Sequence, residues 1–211
     1  MKFIVKCETF ARLSTICQFF EPSIEHEIKD QLNVLRLENF NGKSYAIATN
    51  QKIAAVEYLG PTNEPNGCAH VILDSVMIEK AKEESAYGSF FEVSTIPEIA
   101  AGAVKSMLGW AYPGNPCRWF DKTAMNDWRK WVNEKPVKTK GAMYWDLSHL
   151  QTLLQSSPSG KIIFPEMIDV DYPILIRDRM NDNWFGLFVA KPTEADAALN
   201  PVKAATLPIW W

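Results

Sequence analysis

Asn41-Gly42 sits between two runs, 32–40 and 44–51, in which apolar and polar residues tend to alternate. A period of two marks a half-buried strand. Asn-Gly is the pair best able to take the two positive φ angles of a tight hairpin turn. A third run, 52–59, ends at Gly60-Pro61. Upstream, residues 2–6 read as a strand. Glu8–Phe20 reads as a helix, with Phe10, Leu13, Cys17 and Phe20 near one face and Glu21-Pro22 as its stop. Residues 22–31 are polar and acidic and read as a loop. Residues 1–60 therefore predict strand, helix, then three meandering strands.

The same order is predicted again near the C-terminus. Met143–Asp146 reads as a strand, and Asp146 or Ser148 caps a helix to about Gln155. Strands follow at 161–164, 172–177 and 184–190. A shorter version lies between them: strand 70–73, a helix from Asp74 or Ser75 to Glu84, and strand 90–94. Residues 97–110 predict a further helix from the spacing of Ile99, Val104, Met107 and Leu108. Residues 111–117 form a turn-rich break, and 121–133 read as helical. The order repeats; the residues do not.

Bulk properties narrow the function classes. A chain of 211 residues, 47% hydrophobic and 22% charged, can bury a core. No apolar run approaches the roughly 18 residues of a membrane span, which predicts a soluble, cytoplasmic protein with no membrane partner. Cys7, Cys17, Cys68 and Cys117 show no CxxC spacing and read as free buried thiols. Cys68-Ala69-His70 offers two metal ligands, but no other spacing completes a site, so no metal or other cofactor is expected. Net charge is −3, unevenly spread: residues 118–140 carry 7 basic and 3 acidic residues, whereas 61–117 carry 3 and 7.

On these residues the chain resembles the sliding-clamp family, particularly the bacterial beta type. The opening Met1-Lys2-Phe3-Ile4-Val5 with its helix is similar to the family's first strand and helix. The stretch 35–50, with Ala48-Thr49-Asn50 after the hairpin, is similar to its second and third strands. Tyr172-Pro173-Ile174-Leu175-Ile176-Arg177 followed by 184–190 is similar to its closing strands. The resemblance implies an α+β fold of DNA-clamp-like βαβββ repeats, with antiparallel sheets outside and helices on the inner face of a ring. It implies a first lobe over 1–110, a basic helical insertion or connector over 111–140, a second lobe over 141–192 and a tail over 193–211. The implied role is a non-enzymatic DNA processivity or tethering factor acting as a ring-like homo-oligomer, with a polymerase or other protein as partner. Such a ring meets phosphates through Lys and Arg without reading sequence. The short middle repeat suits a viral member.

The candidate phosphate contacts are Arg12, Lys80 and Lys82 on the predicted helices, and Arg129, Lys130, Lys135, Lys138 and Lys140 in the basic segment. The last five are interleaved with Trp128, Trp131, Tyr144 and Trp145. Cations beside rings suit single-stranded nucleic acid, and they also suit an amphipathic helix with its Trp residues in a core. The predicted inner helices are poor in cations: helix 146–156 has no Lys or Arg, and the acids of helix 74–84 offset its two lysines. That pattern fits the alternative reading, a clamp-fold adaptor or an inhibitor of a host enzyme that encircles no DNA. The apolar end Ile209-Trp210-Trp211 is a candidate partner anchor or part of the chain's own core. Catalysis has little footing, since no nucleophile-elbow, zincin, P-loop or dinucleotide motif is present. Asp169-Val170-Asp171 leaves a minor metal-dependent nuclease reading.

Overall fold

The computed structural model describes residues 1–17, 34–50, 53–96, 101–114, 116–118, 147–163 and 174–188. Three units follow one another. Unit one is β1 (Lys2–Lys6), α1 (Cys7–Ser14), β2 (Val34–Phe40), β3 (Lys43–Thr49) and β4 (Ile53–Pro61). Unit two is β5 (Gly67–Ile72), α2 (Ser75–Ser85), β6 (Phe90–Ile96), β7 (Ala101–Ser106) and β8 (Cys117–Arg118). Unit three is α3 (Leu147–Ser156), β9 (Ile162–Ile163), β10 (Ile174–Asp178) and β11 (Trp184–Phe188).

The hairpin forms where the sequence places it. Phe40 pairs with Lys43 across a two-residue turn, with φ of 50° at Asn41 and 75° at Gly42, the geometry that matches strand twist. Helix α1 stops at Ser14, short of the predicted Phe20. The Ser14 and Thr15 hydroxyls donate to the carbonyls of Ala11 and Arg12, a local competition that favours a helix end. Ile16 and Cys17 stay buried in the turn that follows, so apolar spacing outlasts the helix. Helix α2 begins as predicted: the Asp74 carboxylate accepts from the Met77 amide at 2.8 Å.

The predicted helix over 97–110 is overturned. Residues 101–106 are strand β7, paired along its whole length with β6. Met107 and Leu108 are exposed in the turn that follows, closed by Gly109 at φ +94°. Their spacing mimicked a helical face, but the edge of β6 needed a hydrogen-bonding neighbour, and tertiary pairing prevailed over local pattern. Gly102 fits this role, because a Cβ there would lie 2.5 Å from Cys117 Cβ. With β7 and β8 added, the middle unit has the same order of elements as the first, not the shortened version predicted.

All strand pairs are antiparallel. One sheet runs β1-β6-β7, the other β8-β5-β2-β3-β4-β11-β10-β9. Units one and two exchange their first strands: β1 pairs with β6 of unit two, and β5 pairs with β2 of unit one. Helices α1 and α2 pack together, and the Cys7 amide at the start of α1 donates to Ser89 O just beyond α2. Unit three joins through its last strand, β11 against β4, and through α3 against α1 and β4. Phe10, Leu13, Met77, Ala81 and Leu153 of the helices form one core with Leu35, Leu37, Ala46, Ala55, Ile176 and Trp184 of the large sheet. A separate cluster of Tyr45, Ile47, Ala54, Val56, Phe185 and Leu187 is buried on its opposite face.

Candidate nucleic-acid interface

The layer formed by α1, α2 and α3 is the surface that a clamp-like arrangement would turn toward phosphates. Its charges follow from the helix sequences. On the core side of α1, Thr9, Phe10 and Leu13 are buried, leaving Glu8 and Thr15 exposed and Arg12 at the boundary. Helix α2 buries Met77, Ile78, Ala81 and Glu84 and exposes Glu79, Lys82 and Glu83. Helix α3 exposes Leu147, Ser148, Gln151, Leu154 and Gln155 and has no charged residue. Among the described helices, three carboxylates (Glu8, Glu79 and Glu83) are thus exposed against one exposed cation, Lys82.

Arg12 points into the structure. Its guanidinium meets the Glu57 carboxylate of β4 at 2.9 and 3.2 Å, and its Nη1 donates to Ser156 O at the end of α3 at 2.6 Å. Thr9 Oγ1 donates to Glu57 at 2.8 Å. Burial pushes the Glu57 carboxyl up; Arg12 and Thr9 pull the other way without cancelling it. Arg12 is therefore the cation of a buried seam joining units one and three. The sequence reading missed Glu57, although a signal existed: Ile53, Ala55 and Glu57 share one face of β4, and the first two are core residues. A carboxylate on a core-facing strand position requires a cationic partner.

Lys80 lies 3.0 Å from Glu83 and 3.5 Å from buried Glu84. Lys82 makes no ion pair among the described residues and stands exposed on the same helix. Lys80 and Lys82 are thus on one helix, and Arg12 is part of a different cluster. Arg129, Lys130, Lys135, Lys138, Lys140, Ile209, Trp210 and Trp211 lie outside the described residues, as do the helix predicted at 121–133, the strand predicted at 143–146 and Asp169-Val170-Asp171.

Other polar groups are structural. The Asp178 carboxylate at the end of β10 accepts from the Ser157 and Ser159 hydroxyls and from the amides of Ser159 and Met180, tying the loop after α3 to the β10–β11 turn. Burial alone would raise its pKa, but these donors outweigh it and hold it below the ordinary aspartate value. All four cysteines are free and buried; burial pushes the Cys17 and Cys117 thiols up to about 12, which makes them unreactive at neutral pH. Among the described residues no group of three or more His, Cys, Asp or Glu is placed to hold a metal ion. No described helix is long and apolar enough to cross a membrane.

Solved structures with this arrangement include bacterial DNA polymerase III beta subunits. The DNA polymerase III beta-subunit sliding clamp of Bartonella birtlesii superimposes with a TM-score of 0.51 at 12% identity, over 93% of this chain and 67% of that one. The DNA polymerase III beta subunit of Thermotoga maritima gives 0.52 at 8% identity, over 93% and 66%. The fold is that of a divergent sliding clamp. This chain spans about two thirds of the length of those clamps. No protein-family model and no curated protein matches its sequence.

Proposed function

We propose that this chain is a non-enzymatic clamp-type processivity or tethering factor that works as a ring-like oligomer. The observation that carries this reading is architectural: two complete βαβββ units with exchanged first strands, and three helices that share one core with the strands. A ring of such units holds DNA by closure, so it needs little affinity per phosphate. The helix layer fits only weak attraction, with Lys82 as its exposed cation. Most of the phosphate contact is assigned to Arg129, Lys130, Lys135, Lys138 and Lys140, with Lys80 and Lys82 contributing. Its place of work would be the cytoplasm, beside a polymerase or another protein of DNA metabolism.

A specific observation favours a second reading. Exposed carboxylates outnumber exposed cations on the helix layer, which suits a clamp-fold adaptor or inhibitor that binds protein, with Ile209, Trp210 and Trp211 as its anchor. One experiment separates the two. Molar mass by light scattering is followed by gel shifts on duplex and single-stranded DNA across a salt series. The tethering reading expects an oligomer that binds at low salt. It also expects Lys130→Glu to weaken that binding and to lower the slope of log affinity against log salt by about 0.9 for duplex DNA. A monomer that shifts no DNA at low salt would overturn it in favour of the adaptor.

A further inference from the structure

Strand β1 alternates between two faces. Phe3 and Val5 are buried, whereas Lys2, Ile4 and Lys6 are exposed. Its backbone alternates as well. Met1 and Thr95 exchange two hydrogen bonds, at 2.8 and 2.9 Å, and the Cys7 amide donates to Ser89 O at 2.9 Å. In an antiparallel pair, bonded and non-bonded residues alternate. Residues 1, 3, 5 and 7 therefore turn their backbone groups toward β6, and the amides of Lys2 and Ile4 turn the other way. The Lys2 amide shows this directly: it donates to Glu64 Oε2, just past β4, at 3.0 Å.

A groove of about 330 Å³ lies against that outward edge. Lys2 and Ile4 line it from β1, Ser44 from β3, Leu59 and Pro61 from β4, and Glu64 from the Lys2 end. Ile4 is 45% exposed. The groove thus combines outward backbone groups with an apolar wall of Ile4, Leu59 and Pro61, which is what a strand edge offers an extended chain. Glu64 already fills one acceptor place with a side chain, and the next outward donor along the edge is the Ile4 amide. Charge gives the occupant its chemistry. Lys2 meets Glu92 at 2.6 Å, and Glu64 stands at the same end, so that end disfavours a further acid. Lys6, two residues past Ile4, is the exposed cation of the other end.

We infer that the outer edge of β1 takes an extended segment of a partner protein as an added antiparallel strand. Both strand pairs of this small sheet are antiparallel, and in that sense the residue opposite Ile4 exchanges both hydrogen bonds with it. An apolar side chain there packs on Ile4 beside Leu59 and Pro61. Strand periodicity then puts the residue two positions earlier beside Lys6, where an acid is favoured. The recognised pattern is an acid, any residue, then an apolar residue with a free amide. The inference rests on the part of both functional readings that gives the chain a protein partner. It needs neither DNA nor a ring, so peptide binding and the molar-mass test can fail separately.

The test titrates the full chain into a fluorescein-labelled peptide, Thr-Glu-Thr-Ile-Thr-Gln-Thr, and reads fluorescence anisotropy. Saturable binding is expected. In hydrogen exchange read by NMR, the Ile4 amide should gain protection, while that of Phe3, already turned toward β6, stays as it was. N-methylation of the peptide isoleucine, or Ile4→Pro in the chain, removes one hydrogen bond and should weaken binding about tenfold. Proline is tolerated on an edge strand where its missing N–H faces outward, so far-ultraviolet circular dichroism should not change. Lys6→Glu, at an exposed position, should weaken binding too, and a peptide with lysine in place of its glutamate should recover it. The inference is overturned by an absence of saturable binding, by binding that survives both the N-methyl peptide and Ile4→Pro, or by protection that rises away from β1.

Discussion

Units one and two are interlaced, whereas unit three is docked. Strands β1 and β5 each complete the other unit's sheet, so neither of the first two units can unfold without breaking a ladder in its neighbour. Unit three gives up no described strand. It is held by one five-residue ladder between β11 and β4, by the apolar contacts of Trp184 and Leu153, and by the Arg12 seam. Gly186 of β11 lets α3 lie close to the sheet: a Cβ there would come within 2.9 Å of Leu153 Cδ2. The difference implies that the first two units form one cooperative block and that unit three is the part able to open first.

Trp184→Ala is expected to act most strongly on this difference. Trp184 is fully buried in the core that also holds Leu153 of α3, and its truncation should cost about 3–5 kcal/mol. In hydrogen exchange, amides of β9–β11 should lose protection well before those of β2 and β5. Equal loss across the large sheet would show that the three units are one block after all.

Arg12→Met comes next. It leaves the Glu57 carboxylate buried without its cation, at a cost of about 3 kcal/mol, and it frees the carbonyl of Ser156. Denaturant unfolding should show the loss, and Glu57→Gln added to Arg12→Met should restore part of it. No restoration would mean that Arg12 acts through Ser156 alone.

Asp178→Asn is the smallest of the three, at about 1–2 kcal/mol. The folded Asp178 carboxyl titrates below its unfolded value. Its contribution is therefore complete above the unfolded pKa, about 3.9, and is lost as pH falls through the folded value. Glu57 has the opposite sign, since its folded pKa is raised. The asparagine variant should flatten the acid limb of stability against pH. An unchanged limb would assign acid sensitivity to other carboxylates.

The sequence by itself determined the local pieces. Asn41-Gly42 set a hairpin whose turn angles only such residues adopt cheaply, and the two runs beside it with the third run ending at Gly60-Pro61 set β2–β4 within two residues of their ends. Asp74 set the start of α2, and the strand–helix–three-strand order with its clamp resemblance set the fold. These features arise from neighbours along the chain, so they can be read along it. Which edges needed a partner was decided by the tertiary structure. It turned 101–106 from an apparent helix into β7, because pairing with β6 involves residues far apart in helical terms but adjacent in space. It took Arg12 from the candidate phosphate contacts into an internal seam, because Glu57, 45 positions away, lies beside it. It also separated two helices that look alike in pattern: α1 buries Cys7, Ala11 and Ser14, and α3 exposes Leu147 and Leu154. Burial of a helix face depends on what lies across from it, which no run of residues contains.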